Sequence, residues 1–211
     1  MKRVIFILFI SIVGLTSISG QNLNDLISSM PDNIIFGLDA GMKDMLIANP
    51  EDTAKLPIER GTYGSIKRLA ISADYISLQT SDAGITQIKM LPLINDSKIV
   101  CVVKTVCGGI CDSQVQFYTT KWLPINQKDL LPLITKDSFI KTDVDRNSQS
   151  FGNAYAALDL TAIKLSMSAD NTTLTAKYEI KGYLSEEDYK EIEPYLIDEP
   201  IILNWDKISF K

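Results

Sequence analysis

Residues 98–122 read KIVCVVKTVCGGICDSQVQFYTTKW. Two strand-like runs flank Cys107-Gly108-Gly109-Ile110-Cys111, and no other stretch restricts the fold as much. Two cysteines four apart admit three readings: a redox motif, a metal clamp or a stapled turn. If Cys107 stands opposite Cys111, the register of the whole ribbon follows. Cys101 then faces Phe117, Val103 faces Val115 and Thr105 faces Ser113, all on one side, because side chains alternate with a period of two. The other side sets Val102 and Lys104 against Gln116 and Gln114 and is expected to be wetter. Cys101 is expected in the core as a small apolar residue.

The first twenty residues, MKRVIFILFISIVGLTSISG, follow Lys2 and Arg3 with an apolar run and then small residues. That is the layout of a secretory signal peptide, expected to be cut after Ser19 or Gly20. The run is too short for a comfortable membrane span. No cysteine stands near the cut to carry a lipid anchor, and no stable span is expected once the signal is removed. The expected location is periplasmic or secreted, where close cysteine pairs oxidise. A redox site would want CxxC at a helix start with a lowered thiol pKa, so Cys107 and Cys111 are expected to form a structural disulfide. It closes a very small ring, which stabilises by about 2 kcal/mol on the chain-entropy argument.

The period changes along the remainder. Asn22 can cap a short helix over 22–30, and Asp32 a second one carrying Ile34, Ile35, Leu38, Met42, Met45 and Leu46. Asn49-Pro50 is an exit signal. From Tyr63 the period is two, with Ile76 and Leu78, then Ile88 and Met90, alternating with polar residues. Asn126 and Asp129 open a helical turn. DVDRNSQSFGN, 143–153, is the polar gap and the best boundary. Beyond it, 157–168 is expected as a long strand turning at Ala169-Asp170-Asn171 into a second. Ser185 and Asp188 start a helix, and a strand ends the chain. ISADYISLQT and MSADNTTLTA share a strand, Ser-Ala-Asp turn, strand pattern.

The expected fold class is α+β: N-terminal helices packed on an antiparallel meander sheet, with a second, smaller α/β portion. The divisions are 1–20 (signal peptide), 21–140 (helix pair plus sheet) and 141–211 (strand, strand, helix, strand), the last either separate from the second or continuous with it.

Composition excludes much chemistry. The chain has no histidine, which removes Ser-His-Asp and Cys-His nucleophiles and the usual zinc and copper ligand sets. No GxxxxGK or GxGxxG loop is present. The one SxxK match, Ser138 to Lys141, sits between strand-like residues rather than at a helix start. With a net charge of −5 and no basic run, nucleic acid is not an expected partner. No catalytic residue and no cofactor is assigned. Asp143, Asp145 and Asn147 match the first half of a calcium loop, but Ser148 and Ala154 stand where glycine and a bidentate carboxylate are wanted. They are calcium candidates only. Glu186, Glu187, Asp188, Glu191 and Glu193 supply acids, yet on one helix face rather than across a sugar.

KIVCVVKTVCGGICDSQVQFYTTKWLPI, with MPDNIIFGLDAGMKDML upstream, resembles a family of secreted Bacteroidales proteins, number 3256 among the domains of unknown function. The resemblance spans most of the chain after the leader and implies an envelope location. It carries no activity or catalytic residue. The expected function is a non-catalytic, exported binding or interaction module of the bacterial envelope, its partner another envelope protein or a peptide. The alternative is a carboxylate-based hydrolase acting on envelope or dietary polymer.

Overall fold

The computed structural model describes residues 22–48 and 58–211. The expected signal peptide and the expected Asn49-Pro50 helix exit lie outside the described residues.

The register expected from the cysteine pair is the observed one. Strands β5 (Lys98–Gly108) and β6 (Ile110–Thr119) pair Cys107 with Cys111, Thr105 with Ser113, Val103 with Val115 and Cys101 with Phe117. Around them β1 (Ile58–Glu59), β2 (Ser65–Ile71), β3 (Tyr75–Gln79), β4 (Gly84–Pro92) and β7 (Pro124–Ile125) complete a seven-stranded antiparallel meander in chain order. A second sheet has three strands, β8 (Ile163–Met167), β9 (Thr173–Tyr178) and β10 (Ile201–Asn204), in the order β10-β9-β8.

The large sheet is buried on both faces, so the expectation of one core face and one wetter face holds only in part. On one face Ile66, Ile76, Leu78, Ile88, Met90, Val100 and Val102 pack under α1 (Leu23–Ser28) and α2 (Ala40–Ile47). Val102 is 1% exposed. The other face buries Cys101, Val103, Val115 and Phe117 against Ile163, Leu165, Leu174 and Leu203 of the small sheet. Residues from before and after position 140 therefore share one core. A third cluster joins Phe151 and Ala154 of α3 (Gln149–Ala156) to Ile192 of α4 (Glu186–Ile192), with Ile140, Ile180 and Leu196. The order of layers is helices, seven-stranded sheet, three-stranded sheet, an α+β arrangement.

Three expectations need correction. The helix expected from Asp32 starts only at Ala40, capped by Asp39, whose carboxylate accepts the Met42 N–H at 2.8 Å. Gly37 has φ +75°, a conformation that ends helical geometry. Ile34, Ile35 and Leu38 are buried from turns instead, and Met45 faces solvent. The polar stretch 143–153 is not a bare linker: Ser148 caps α3 by accepting the Phe151 N–H. The strand expected from residue 157 begins at Ile163.

The small sheet is tied to the large one by side chains. Strand β8 is an edge strand, and unpaired edge N–H groups invite pairing with another chain. Its Ile163, Leu165 and Met167 N–H groups donate to Asp112 Oδ1 (3.1 Å), Ser113 Oγ (2.9 Å) and Gln87 Oε1 (3.0 Å). The edge is thus closed by polar side chains of the neighbouring sheet.

Both Ser-Ala-Asp sequences are hairpin turns, one between β2 and β3, the other between β8 and β9. They also meet. Lys89, 1% exposed, ion-pairs Asp74 of the first turn at 3.0 Å and donates to the Ala169 carbonyl of the second at 3.1 Å.

Candidate functional site

Cys107 and Cys111 are disulfide-bonded, with Cα atoms 4.0 Å apart, and Cys101 is a buried free thiol. Gly109 supplies the positive φ (+89°) that the two-stranded turn requires. Gly182 fits against this turn: a Cβ there would stand 2.9 Å from Ile110 Cγ2. The disulfide therefore holds the surface on which the 180–182 turn is seated. Burial pushes the Cys101 thiol up, away from the thiolate form that redox chemistry needs.

The calcium candidates are turn formers. Asp145 Oδ1 accepts the Asn147 N–H at 3.0 Å, and the Asp145 carbonyl accepts from Ser148 Oγ at 2.9 Å. Asp143 and Asp145 are exposed. Among the described residues no group of three or more acidic or cysteine side chains is arranged to hold a metal ion. Glu186, Glu187 and Asp188 occupy the first turn of α4, where negative charge complements the helix dipole. Glu191 and Glu193 are exposed beside them. None of the five lines the two cavities described next.

The first cavity, about 590 Å³, lies beside the outer edge of β6. Its apolar wall comes from Val115, Leu131, Pro132, Leu133, Ile163 and Leu165. Leu133 is 88% exposed. The strand edge here follows from backbone alternation. The Cys107 N–H donates to Ala83 at the β4 end, so odd-numbered residues of β5 face β4 and even-numbered ones face β6. By the register, odd-numbered residues of β6 then turn their main-chain groups away from β5. β7 pairs only with Phe117 and Tyr118. The outward N–H and C=O groups of Ser113 and Val115 meet no main-chain partner among the described residues.

The second cavity, about 280 Å³, opens on the helix-covered face of the sheet, beyond the end of that cover. Arg60, Lys104, Thr80 and Thr86 line it, with Phe36 and Tyr63. Of these only Lys104, as a charge on the wetter side of the ribbon, and Tyr63, as the start of the period-two stretch, stood out in the sequence. Nothing local marks Arg60, which lies between the two-residue β1 and a helical turn at Gly61–Tyr63.

The aromatic motif at the end of β6 is structural. Tyr118 and Trp122 rings lie 5.7 Å apart, and Trp122 Nε1 donates to the Leu26 carbonyl at 3.1 Å, pinning α1 to the sheet.

The fold defines a sheet-centred α+β protein in which, among the described residues, one cavity lies beside β6, another lies at Arg60, and no metal cluster is present. The chain belongs to the family described as "Protein of unknown function (DUF3256)", whose model matches residues 15–210. It is similar to a solved domain of an uncharacterized protein from Porphyromonas gingivalis W83, at 25% identity and a TM-score of 0.80. That match covers 90% of this chain and 98% of the other. No curated protein matches.

Proposed function

We propose that the protein is an exported, non-catalytic interaction module of the envelope that takes an extended peptide segment along the outer edge of β6, where main-chain groups lack main-chain partners among the described residues. The observation carrying this is the pair of outward-facing backbone positions, Ser113 and Val115, beside an apolar groove. An added strand supplies the missing main-chain partners, and alternate side chains enter the groove. Leu133, exposed over that groove, is the residue an incoming apolar side chain would cover. No helix among the described residues is long and apolar enough to cross a membrane. The leader-like start of the sequence motivates the location.

Selection from a displayed library of random linear peptides, with amide shifts read by NMR, tests the reading. Selected peptides should carry alternating apolar residues and shift the Ser113 and Val115 amides. N-methylation of the peptide at the strand-pairing amides should weaken binding at least tenfold, as should Leu133→Asp. Peptides that map elsewhere, or N-methylation without effect, would refute it.

A further inference from the structure

The Arg60 cavity holds positive charge without a counter-charge among the described residues. Arg60 is 7% exposed. Its Nη1 donates to the Phe36 carbonyl at 2.7 Å, and its Nη2 to the Tyr63 and Thr80 carbonyls at 3.0 and 2.6 Å. A guanidinium has five N–H donors, so three are used. Nε is buried with no partner, and is the one such side-chain atom among the described residues. Among the described residues no aspartate or glutamate lines the cavity. Lys104 enters the same space from β5, opposite Thr86 in the register. No carboxylate lies within ion-pair distance of it or of Arg60 among the described residues.

Burial of a cation against carbonyl dipoles alone is costly, and a missing partner is a place for a ligand. Two cations, two threonines and no acid select an anion. The walls refine the choice. Phe36 and Tyr63 are large rings left 59% and 58% exposed at the cavity. The Tyr63 ring is seated on Gly37, where a Cβ would stand 2.5 Å from its Cδ2. A bare phosphate would leave both rings in water. A carboxylate on an apolar or flat body would cover them while its oxygens meet Arg60 and Lys104.

We propose that this cavity binds a carboxylate ligand, with Lys104 and Arg60 as anion contacts and Phe36 and Tyr63 as walls for its body. The carboxylate can come from a peptide C-terminus, a free aromatic acid or a sugar acid. The site uses no residue of the β6 groove, so either proposal can fail alone.

Calorimetry and amide-shift mapping with N-acetylphenylalanine, benzoate, glucuronate and inorganic phosphate test it on the full mature chain. At least one carboxylate should bind and shift the Thr86 and Lys104 amides. Its primary amide should bind at least tenfold more weakly, which separates charge recognition from ring packing. Lys104→Met, which keeps the aliphatic stem, should cost the acid at least tenfold in affinity and leave the amide unchanged. Which probe wins distinguishes the three sources. No binding by any carboxylate at 10 mM, equal binding of acid and amide, or phosphate binding as tightly as the best carboxylate would each overturn the proposal. Arg60→Lys is not needed, since its clamp on three carbonyls makes it a folding residue as well. If Lys104→Met does not fold, the acid-to-amide comparison on the unaltered protein decides.

Discussion

Removing Asp74 should damage this protein more than removing the buried lysine it partners. Lys89 is the buried member of the pair: its side chain is 1% exposed, against 37% for Asp74. Its ammonium rests on Asp74 Oδ1, on the Ala169 carbonyl and 5.6 Å from the Tyr75 ring centroid. Asp74→Ala strands a buried charge on one carbonyl and a ring. Losing one partner of a buried pair costs about 3–5 kcal/mol, and the partial exposure of Asp74 lowers that to about 2–3 kcal/mol. Lys89→Met instead removes the charge itself. Methionine refills the space, Asp74 turns to water, and the Ala169 carbonyl keeps its weak contact with Ser72 Oγ at 3.5 Å. That change should cost about 1 kcal/mol or less. The double variant should match Lys89→Met, since no charge is left to strand. Urea unfolding of the four proteins measures this, and thermal unfolding should show a fall in Tm of roughly 5–10 °C for Asp74→Ala alone. Equal losses for the two single variants, or a larger loss for Lys89→Met, would refute the asymmetry and with it the claim that burial of the ammonium sets the cost.

Two further predictions use the cysteines. Replacing Cys107 and Cys111 together by serine should lower unfolding stability by about 2 kcal/mol. Hydrogen exchange should then rise at 108–110 and in the 180–182 turn seated on them; unchanged exchange at 180–182 would show that the staple does not support that seat. Cys101 gives an alkaline signature. Burial raises its thiol pKa in the folded state, so the unfolded chain loses its proton first. The stabilisation is complete below the unfolded thiol range, near pH 8.5, and then falls by about 1.4 kcal/mol per pH unit. Tyr178 adds to the same trend above about pH 10, its hydroxyl pushed up to about 12 first by burial and then by Tyr155, Asp159 and Asp137. Cys101→Ala should flatten the pH 8.5–10 part of the stability profile, and an unaltered slope would rule the thiol out.

The cysteine-bearing ribbon was legible because two constraints coincide there. A tight turn leaves few pairings, and the parity of Cys101, Val103 and Thr105 against Phe117, Val115 and Ser113 leaves one. The α4 cap was legible for a similar reason: Ser185 accepts the Asp188 N–H at 3.1 Å within four residues. Periodicity misled where burial did not come from a helix. Ile34, Ile35 and Leu38 carry a helical spacing, yet Gly37 and the Tyr63 ring above it impose a turn. Helix α3 was hidden because only Phe151, Ala154 and Tyr155 give it an apolar side amid serine, asparagine and glycine. The Ser-Ala-Asp echo was visible, but Lys89 joining the two turns was not, since 80 residues separate it from Ala169.

The candidate sites show the same division between row and cover. Strand register alone aligns Leu78, Thr86, Lys104 and Gln114 across four strands on one face. A sequence can show that such a row turns from apolar to charged. Whether the charged end meets bulk water, an acid or a cavity depends on what lies over it, and that is settled by chain far away. Here α1, α2 and Trp122 cover the neighbouring row of Ile76, Ile88 and Val102, while Phe36, Arg60 and Tyr63 frame this one at Lys104. The wetter face expected from the ribbon is therefore real only at its Lys104 end, and there it is a lined cavity carrying two cations. The β6 groove arises likewise from β7 pairing only with Phe117 and Tyr118, a strand length that alternation in β6 cannot reveal.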